Sequence, residues 1–223
     1  MKILCVSDQI DPFVYSANIK KNYKDIDLVL CAGDLPMQYI DFIVSSLNVP
    51  TYFIFGNHNL KELPYYENVG ATKMISENEK IKHSHGAIYT GFKVKKENNI
   101  LIAGCSGSIN YNNGQCQFTE LEMTYKLWKM IPRLLFNRII YGRYLDIFLT
   151  HAPPRHIHDR EDQCHKGFKC YRWFIKKFKP KYMIHGHIHL YDINEPRITT
   201  WKGCTIINAY SQYILNYEEK QNG

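Results

Sequence analysis

Asp27-Leu28-Val29-Leu30-Cys31-Ala32-Gly33-Asp34 is an apolar run that begins on one carboxylate and stops on a glycine and another. Leu28 to Ala32 offer no polar face, so the run predicts a strand covered on both sides, as in a parallel sheet, with Asp34 delivered at its carboxyl end. The same plan recurs along the chain. Ile3-Leu4-Cys5-Val6 stops at Ser7-Asp8, Thr51-Tyr52-Phe53-Ile54-Phe55 at Gly56-Asn57-His58-Asn59, Leu145-Asp146-Ile147-Phe148-Leu149 at Thr150-His151, and Tyr182-Met183-Ile184 at His185-Gly186-His187-Ile188-His189. Helices are predicted between these runs. Pro36 to Leu47 opens on a proline, Thr119 to about Ile131 has Thr119 and Glu122 spaced as a capping box, and about Gly167 to Phe178 ends before Pro180. The alternation breaks where Ala87 to Val94 and Ile100 to Ala103 flank Lys95-Lys96-Glu97-Asn98-Asn99 and read as a hairpin. Ile198 to Trp201 and Thr205 to Asn208 repeat that pattern around Lys202-Gly203-Cys204. The sum predicts an α/β protein of mixed sheets with helices outside, as one domain over residues 1–215 followed by a loose tail, Asn216 to Gly223.

Composition narrows the classes. The 223 residues carry 28 Lys+Arg against 21 Asp+Glu, a formal charge of +7, and 45% are hydrophobic, which describes a folded chain and excludes a disordered one. No apolar run approaches the roughly 20 residues that span a bilayer, so no membrane contact is expected. The amino end meets Asp8 after a few apolar residues, too soon for a signal peptide, and the expected location is the cytoplasm. The 7 cysteines are scattered without a Cys-x-x-Cys pair and read as reduced, buried thiols.

In open α/β sheets ligands sit beyond the carboxyl ends of the strands, and here those ends hold Asp8, Asp34, Asn57, His58, His151, His187 and His189. Carboxylate, amide oxygen and imidazole together suit Mn²⁺, Fe²⁺, Zn²⁺ or Co²⁺. Cysteine is absent from the set, which disfavours structural zinc. The ordered series Gly33-Asp34, Gly56-Asn57-His58-Asn59, Thr150-His151-Ala152-Pro153 and Gly186-His187-Ile188-His189 resembles the calcineurin-like metallophosphoesterase family. The motifs of that family run Asp-x-His, Gly-Asp, Gly-Asn-His-Asp/Glu, His and Gly-His-x-His, and the resemblance extends from residue 3 to about residue 208.

The resemblance implies a four-layer sandwich of two mixed β-sheets flanked by helices, with two divalent metal ions bridged by Asp34. Asp8, Asp34 and His189 fall to the first ion, and Asp34, Asn57, His151 and His187 to the second. The implied activity is hydrolysis of phosphate mono- or diesters, since two cations about 3.5–4 Å apart make hydroxide available at neutral pH and clamp the phosphoryl oxygens. His58 is then the catalytic residue that stabilises the transition state or protonates the leaving oxygen.

Two positions depart from the family pattern. Asn59 stands where an acid usually orients the histidine. Asp8-Gln9-Ile10-Asp11 replaces Asp-x-His, so Ile10 occupies the place of an imidazole ligand. Three outcomes stay open: a weak or substrate-completed first site, replacement by Gln9 or Asp11, with Asp11 slightly favoured, or a single-ion enzyme. A two-ion site with an exchangeable first ion is the expectation.

Of the 10 histidines, those at 151, 156, 158, 165, 185, 187 and 189 crowd one stretch, and Arg155, His156 and His165 are the residues expected to touch a phosphate. His185 is expected on the far face of its strand as a supporting or core histidine. Arg133, Arg138 and Arg143, with Tyr141 and Tyr144, are candidates for a lid, and Ser106-Gly107-Ser108-Ile109-Asn110-Tyr111 for a turn near substrate, although an ordinary loop is the more expected reading. Lys166, Lys169, Arg172, Lys176, Lys177, Lys179 and Lys181 form a basic stretch, yet Tyr171, Trp173, Phe174 and Phe178 suit core burial better than base stacking. The expected partner is a small phosphorylated substrate. A nuclease of the same fold using the positive charge, and a scaffold that has lost catalysis, are the competing readings.

Overall fold

The computed structural model describes residues 1–67, 79, 83–192 and 194–218. Its strands, in chain order, are β1 (Lys2–Ser7), β2 (Leu28–Cys31), β3 (Thr51–Phe53), β4 (Ile88–Tyr89), β5 (Val94–Glu97), β6 (Ile100–Cys105), β7 (Ser108–Ile109), β8 (Gln117–Phe118), β9 (Ile147–Thr150), β10 (Tyr182–His185), β11 (Ile198–Trp201), β12 (Cys204–Asn208) and β13 (Ser211–Asn216). Its helices are α1 (Ile19–Asn22), α2 (Met37–Leu47), α3 (Leu63–Tyr66), α4 (Glu120–Tyr141) and α5 (Lys169–Phe178), with a short 3₁₀ turn at Leu60–Glu62.

The first sheet has the order β13-β1-β2-β3-β4, parallel except for β13; the second has the order β11-β12-β10-β9-β6-β5, parallel inside with antiparallel strands at both edges. Strand alternation divides the apolar residues among three layers of core. Ile3, Cys5, Leu28 and Leu30 face Ile102, Ile147, Leu149 and Ile184 between the sheets. Leu4, Val6, Val29 and Phe53 turn outward to α2 through Tyr39, Ile40 and Ile43. On the second sheet Leu101, Phe148, Met183 and Ile206 pack on α4 and α5 through Leu127, Leu134, Tyr171 and Phe174. Helix, sheet, sheet, helix is the expected four-layer sandwich.

Details depart from the sequence reading for identifiable reasons. The hairpin is shorter than expected: Val94–Glu97 pairs with β6 across Asn98 and Asn99, both at positive φ, while Ile88–Tyr89 joins the first sheet beside β3. The run 87–94 is therefore shared between two sheets. α4 continues through Pro132 to Tyr141, where Gly142 caps it in the left-handed region. The backbone bond that proline removes is offset by burial of Met130 and Leu134 on either side of it. Arg133 and Arg138 consequently lie on that helix, where Arg138 bonds the Gly142 carbonyl, and Arg143 pairs with Asp146 at 2.7 Å, so Arg138 and Arg143 brace the helix exit. The tail starts later than Asn216, since Asn216 pairs with Lys2 and Tyr217 is buried; residues 219–223 lie outside the described residues. All 7 cysteines are free, and only Cys164 is not buried. No described helix is long and apolar enough to cross a membrane.

Candidate metal centre

Four of the residues expected at strand ends meet at one imidazole nitrogen. His151 Nε2 lies 3.1 Å from Asn57 Oδ1, 3.3 Å from Asp34 Oδ2 and 3.2 Å from His187 Nδ1. Each atom is aimed by a partner on its other side. His151 Nδ1–H donates to the Ala32 carbonyl at 2.9 Å, His187 Nε2–H to the Cys164 carbonyl at 2.7 Å, and the Asn57 amide nitrogen to the Tyr111 hydroxyl at 3.2 Å. With those hydrogens committed elsewhere, Asp34 Oδ2, Asn57 Oδ1 and His187 Nδ1 turn lone pairs toward His151 Nε2, which is itself a lone pair when the ring is neutral.

The backbone is arranged to allow this approach. Asp8 (φ 65°), Asp34 (φ 57°) and His187 (φ 67°) all adopt the left-handed conformation, which swings each side chain off the line of its strand. The Asp34 carboxylate is held by the N–H of His58 at 2.7 Å, and its carbonyl by the Asn59 amide at 2.9 Å. Asp8 accepts the N–H of His187 on both oxygens, at 3.0 and 2.9 Å. A side chain at Gly56 would collide with the Asp34 carboxylate, and one at Gly186 with the Asp8 carboxylate, so both glycines make room for the acids.

Electrostatics follow from that crowding. Burial raises Asp34, but His151 and the N–H of His58 more than offset it and bring the carboxyl down to about 2. Burial also opposes charge on His151, yet the Asp34 carboxylate outweighs it and holds the imidazolium up to about 9. Burial and the His151 charge push His187 down to about 4. A proton on His151 Nε2 thus occupies the place where the lone pairs of Asp34, Asn57 and His187 converge. Carboxylate, amide oxygen and two imidazoles fit a borderline divalent cation at the same point, and Asp34, His151 and His187 hold their ligand atoms within 4.8 Å of one another.

A cation must displace that proton. Between about pH 4 and about pH 9, set by His187 and His151, binding is expected to release one proton per ion, and affinity to rise about tenfold per pH unit. Titration calorimetry in buffers of different ionisation enthalpy measures it, and binding without proton release would contradict the arrangement.

The other expected residues divide. His189 Nε2 lies 3.8 Å from Asp8 Oδ1, its ring stacked on Tyr210 and its Nδ1 2.6 Å from the Tyr191 hydroxyl. Asp8 contributes to the charge environment of both His151 and His187, which sets this pair beside the first group. His58 is exposed, next to Asn57 in the chain. Ile10 is 43% exposed and offers no donor. Asp11, the favoured substitute, is committed elsewhere: one oxygen accepts the N–H groups of Phe13 and Val14, the other the Ser211 hydroxyl at 2.6 Å.

His165 reaches the cluster, its ring centroid 5.4 Å from that of His187 and its Nδ1 2.7 Å from Asp162. Arg155 is instead clamped by Asp159 and Glu161, both at 2.6 Å, and His156 points to Glu161 at 3.9 Å. His185 is fully buried as expected, and its Nε2 lies 2.9 Å from His158 Nδ1, far below its ordinary protonation range because of burial. Ser106 and Gly107 are a buried brace to Phe55. Tyr111, the last residue of that expected turn, accepts from the Asn57 amide; sequence reasoning missed the carbonyls of Ala32 and Cys164, since a backbone carbonyl leaves no mark in a sequence.

Lone pairs of this composition, gathered beyond the carboxyl ends of two facing mixed sheets, define a metal-binding α/β sandwich. The chain belongs to the calcineurin-like phosphoesterase family, whose model matches residues 1–191. That family comprises metal-dependent phosphoesterases with dinuclear centres. Among solved structures, TT1561 of Thermus thermophilus is similar to it at 14% identity, with 94% of this chain and 89% of that one covered and a TM-score of 0.62. Another solved chain reaches the same TM-score, 0.62, at 11% identity over 96% of this chain and 94% of its own. At such identities the likeness is one of fold. No curated protein matches the sequence.

Proposed function

We propose that this protein hydrolyses phosphate mono- or diesters of small molecules, with His58 as the catalytic residue and two divalent ions as cofactors. The observation that carries the reading is the convergence of Asp34 Oδ2, Asn57 Oδ1 and His187 Nδ1 on His151 Nε2, a buried donor set of carboxylate, amide oxygen and two imidazoles that suits a divalent cation. Asp34, Asn57, His151 and His187 would hold one ion; Asp8, Asp34 and His189 would hold the other, more loosely because Ile10 supplies no donor. When bound, the ions supply Lewis acidity toward a phosphoryl oxygen and lower the pKa of coordinated water.

The side chains provide the rest. The His58 backbone is pinned to Asp34 while its imidazole stays exposed, free to deliver a proton from a ring nitrogen to the departing oxygen. His165, at the rim of the cluster, is the favoured phosphate contact, because the Arg155 guanidinium is taken by Asp159 and Glu161. Tyr171, Phe174 and Phe178 are in the core, whereas Trp173, expected there with them, is 40% exposed, so the basic helix α5 presents one aromatic ring and no row of them, which weighs against a nuclease.

The test is hydrolysis of an aryl phosphate and an aryl phosphodiester by metal-stripped protein, titrated in turn with Mn²⁺, Fe²⁺, Zn²⁺, Co²⁺ and Mg²⁺ while bound metal is counted. Turnover that depends on metal supports the reading, and its ester preference separates phosphatase from diesterase. Absence of both binding and turnover would favour the scaffold. The weak first site has its own test: Ile10→His is expected to tighten the more loosely held ion by about ten- to hundredfold. Unchanged affinity would mean that another group already completes that site.

A further inference from the structure

Glu62, His83 and His85 hold three ligand atoms within 4.8 Å of one another, on residues that the Asp34 cluster does not use. Glu62 ends the 3₁₀ turn that follows β3, and the two histidines precede β4. Asp41, from α2, accepts a hydrogen bond from His85 Nδ1–H at 2.7 Å. That bond places the one hydrogen of a neutral His85 ring on Nδ1 and leaves Nε2 as a bare lone pair. Nε2 is buried without a hydrogen-bond partner and faces Glu62 Oε2 at 3.6 Å, so two acceptors confront each other across a gap. His83 Nδ1 lies 2.5 Å from the same Glu62 oxygen, and Tyr65 stacks flat on the His83 ring at 3.6 Å and 9°, which fixes its plane. The Tyr66 hydroxyl bonds the His83 carbonyl.

We propose that Glu62, His83 and His85 form a second, separate metal site that binds one zinc ion, with Asp41 as the carboxylate that orients His85. Two imidazoles and one carboxylate are a zinc donor set with a fourth position left for water, and the imidazoles argue against calcium or magnesium. Asp41, His85 and the ion reproduce the carboxylate–histidine–metal relay that fixes a ligand's tautomer and raises its basicity. An ion in the gap also resolves the repulsion between the Glu62 oxygen and His85 Nε2. It ties the turn after β3 to the approach to β4.

Zinc titrated into metal-free protein against a chromophoric chelator is expected to fill one more equivalent in the wild type than in His85→Ala or in Glu62→Gln. Asp41→Asn keeps the three ligands and is expected to weaken that equivalent by about ten- to hundredfold. An extra equivalent that persists in both ligand variants, or that the wild type never takes up, overturns the site and leaves a protonated His85 bridging two carboxylates. Unchanged affinity in Asp41→Asn overturns the orienting role. Far-UV circular dichroism of the metal-free variants shows that each is folded. Zinc counting involves no turnover, so the outcome stands apart from the fate of the phosphoesterase reading.

Discussion

Asp34→Asn is expected to lower metal-stimulated hydrolysis by about two to four powers of ten, the scale of removing one partner from a buried charge pair. Asparagine keeps the shape of the side chain and an oxygen to accept the N–H of His58, so the turn after β2 is expected to survive. What it removes is the charge opposite His151. Burial already opposes charge on that ring, and without the Asp34 carboxylate only the Asp8 charge and the Ala32 carbonyl are left to offset it, so His151 should titrate lower than in the wild type, where it lies near 9. Nuclear magnetic resonance of the imidazole reads that displacement directly, and circular dichroism reads the fold. A folded variant with full metal-stimulated activity would remove Asp34 from the centre altogether.

His58→Ala should slow turnover by about 10²–10⁴-fold while metal affinity stays as in the wild type. The separation is possible because His58 is joined to the cluster by its backbone N–H, which alanine retains, whereas its ring is exposed. If the ring protonates the departing oxygen, the deficit shrinks for esters whose leaving group is acidic and grows for alkyl esters, and the variant loses one limb of its pH–rate profile. Loss of bound metal in the variant would show that the ring is itself a ligand. Asn59 does not orient this histidine in the way the family's acid is expected to, since its amide holds the Asp34 carbonyl at 2.9 Å. A weakly oriented ring is a reason to expect the smaller end of the range.

The layers of the fold and the principal donors were legible because strand ends announce themselves: an apolar run that stops on Gly33-Asp34 or Gly186-His187 marks both a strand and the place where it opens. Distances between unlike segments were not. Nothing local says that Ile88 and Val94 belong to different sheets, or that Pro132 is carried inside a helix because Met130 and Leu134 are buried around it. Asp11 shows the limit for side chains. Its position made it a candidate ligand, and only the turn at Phe13 and Val14 together with Ser211, 200 residues away, reveals that its oxygens are spent. The cluster of Glu62, His83 and His85 carried no spacing signature, since its carboxylate and its imidazoles come from either side of an intervening segment.

β1 carries Asp8, and its two neighbours become available at widely separated moments of synthesis. β2 follows soon after it, whereas β13 is made after every other strand of both sheets, pairing Asn216 with Lys2. The bond from His187 to Asp8 spans 179 residues. A nascent chain therefore holds one edge of β1 open, and the donors stay apart, while the whole second sheet is being made. Contacts of such range close slowly and leave a strand edge free to pair with other chains meanwhile. The fold thus depends on its order of assembly as well as on its finished shape: a shortened chain lacking β13 is expected to be a template for aggregation.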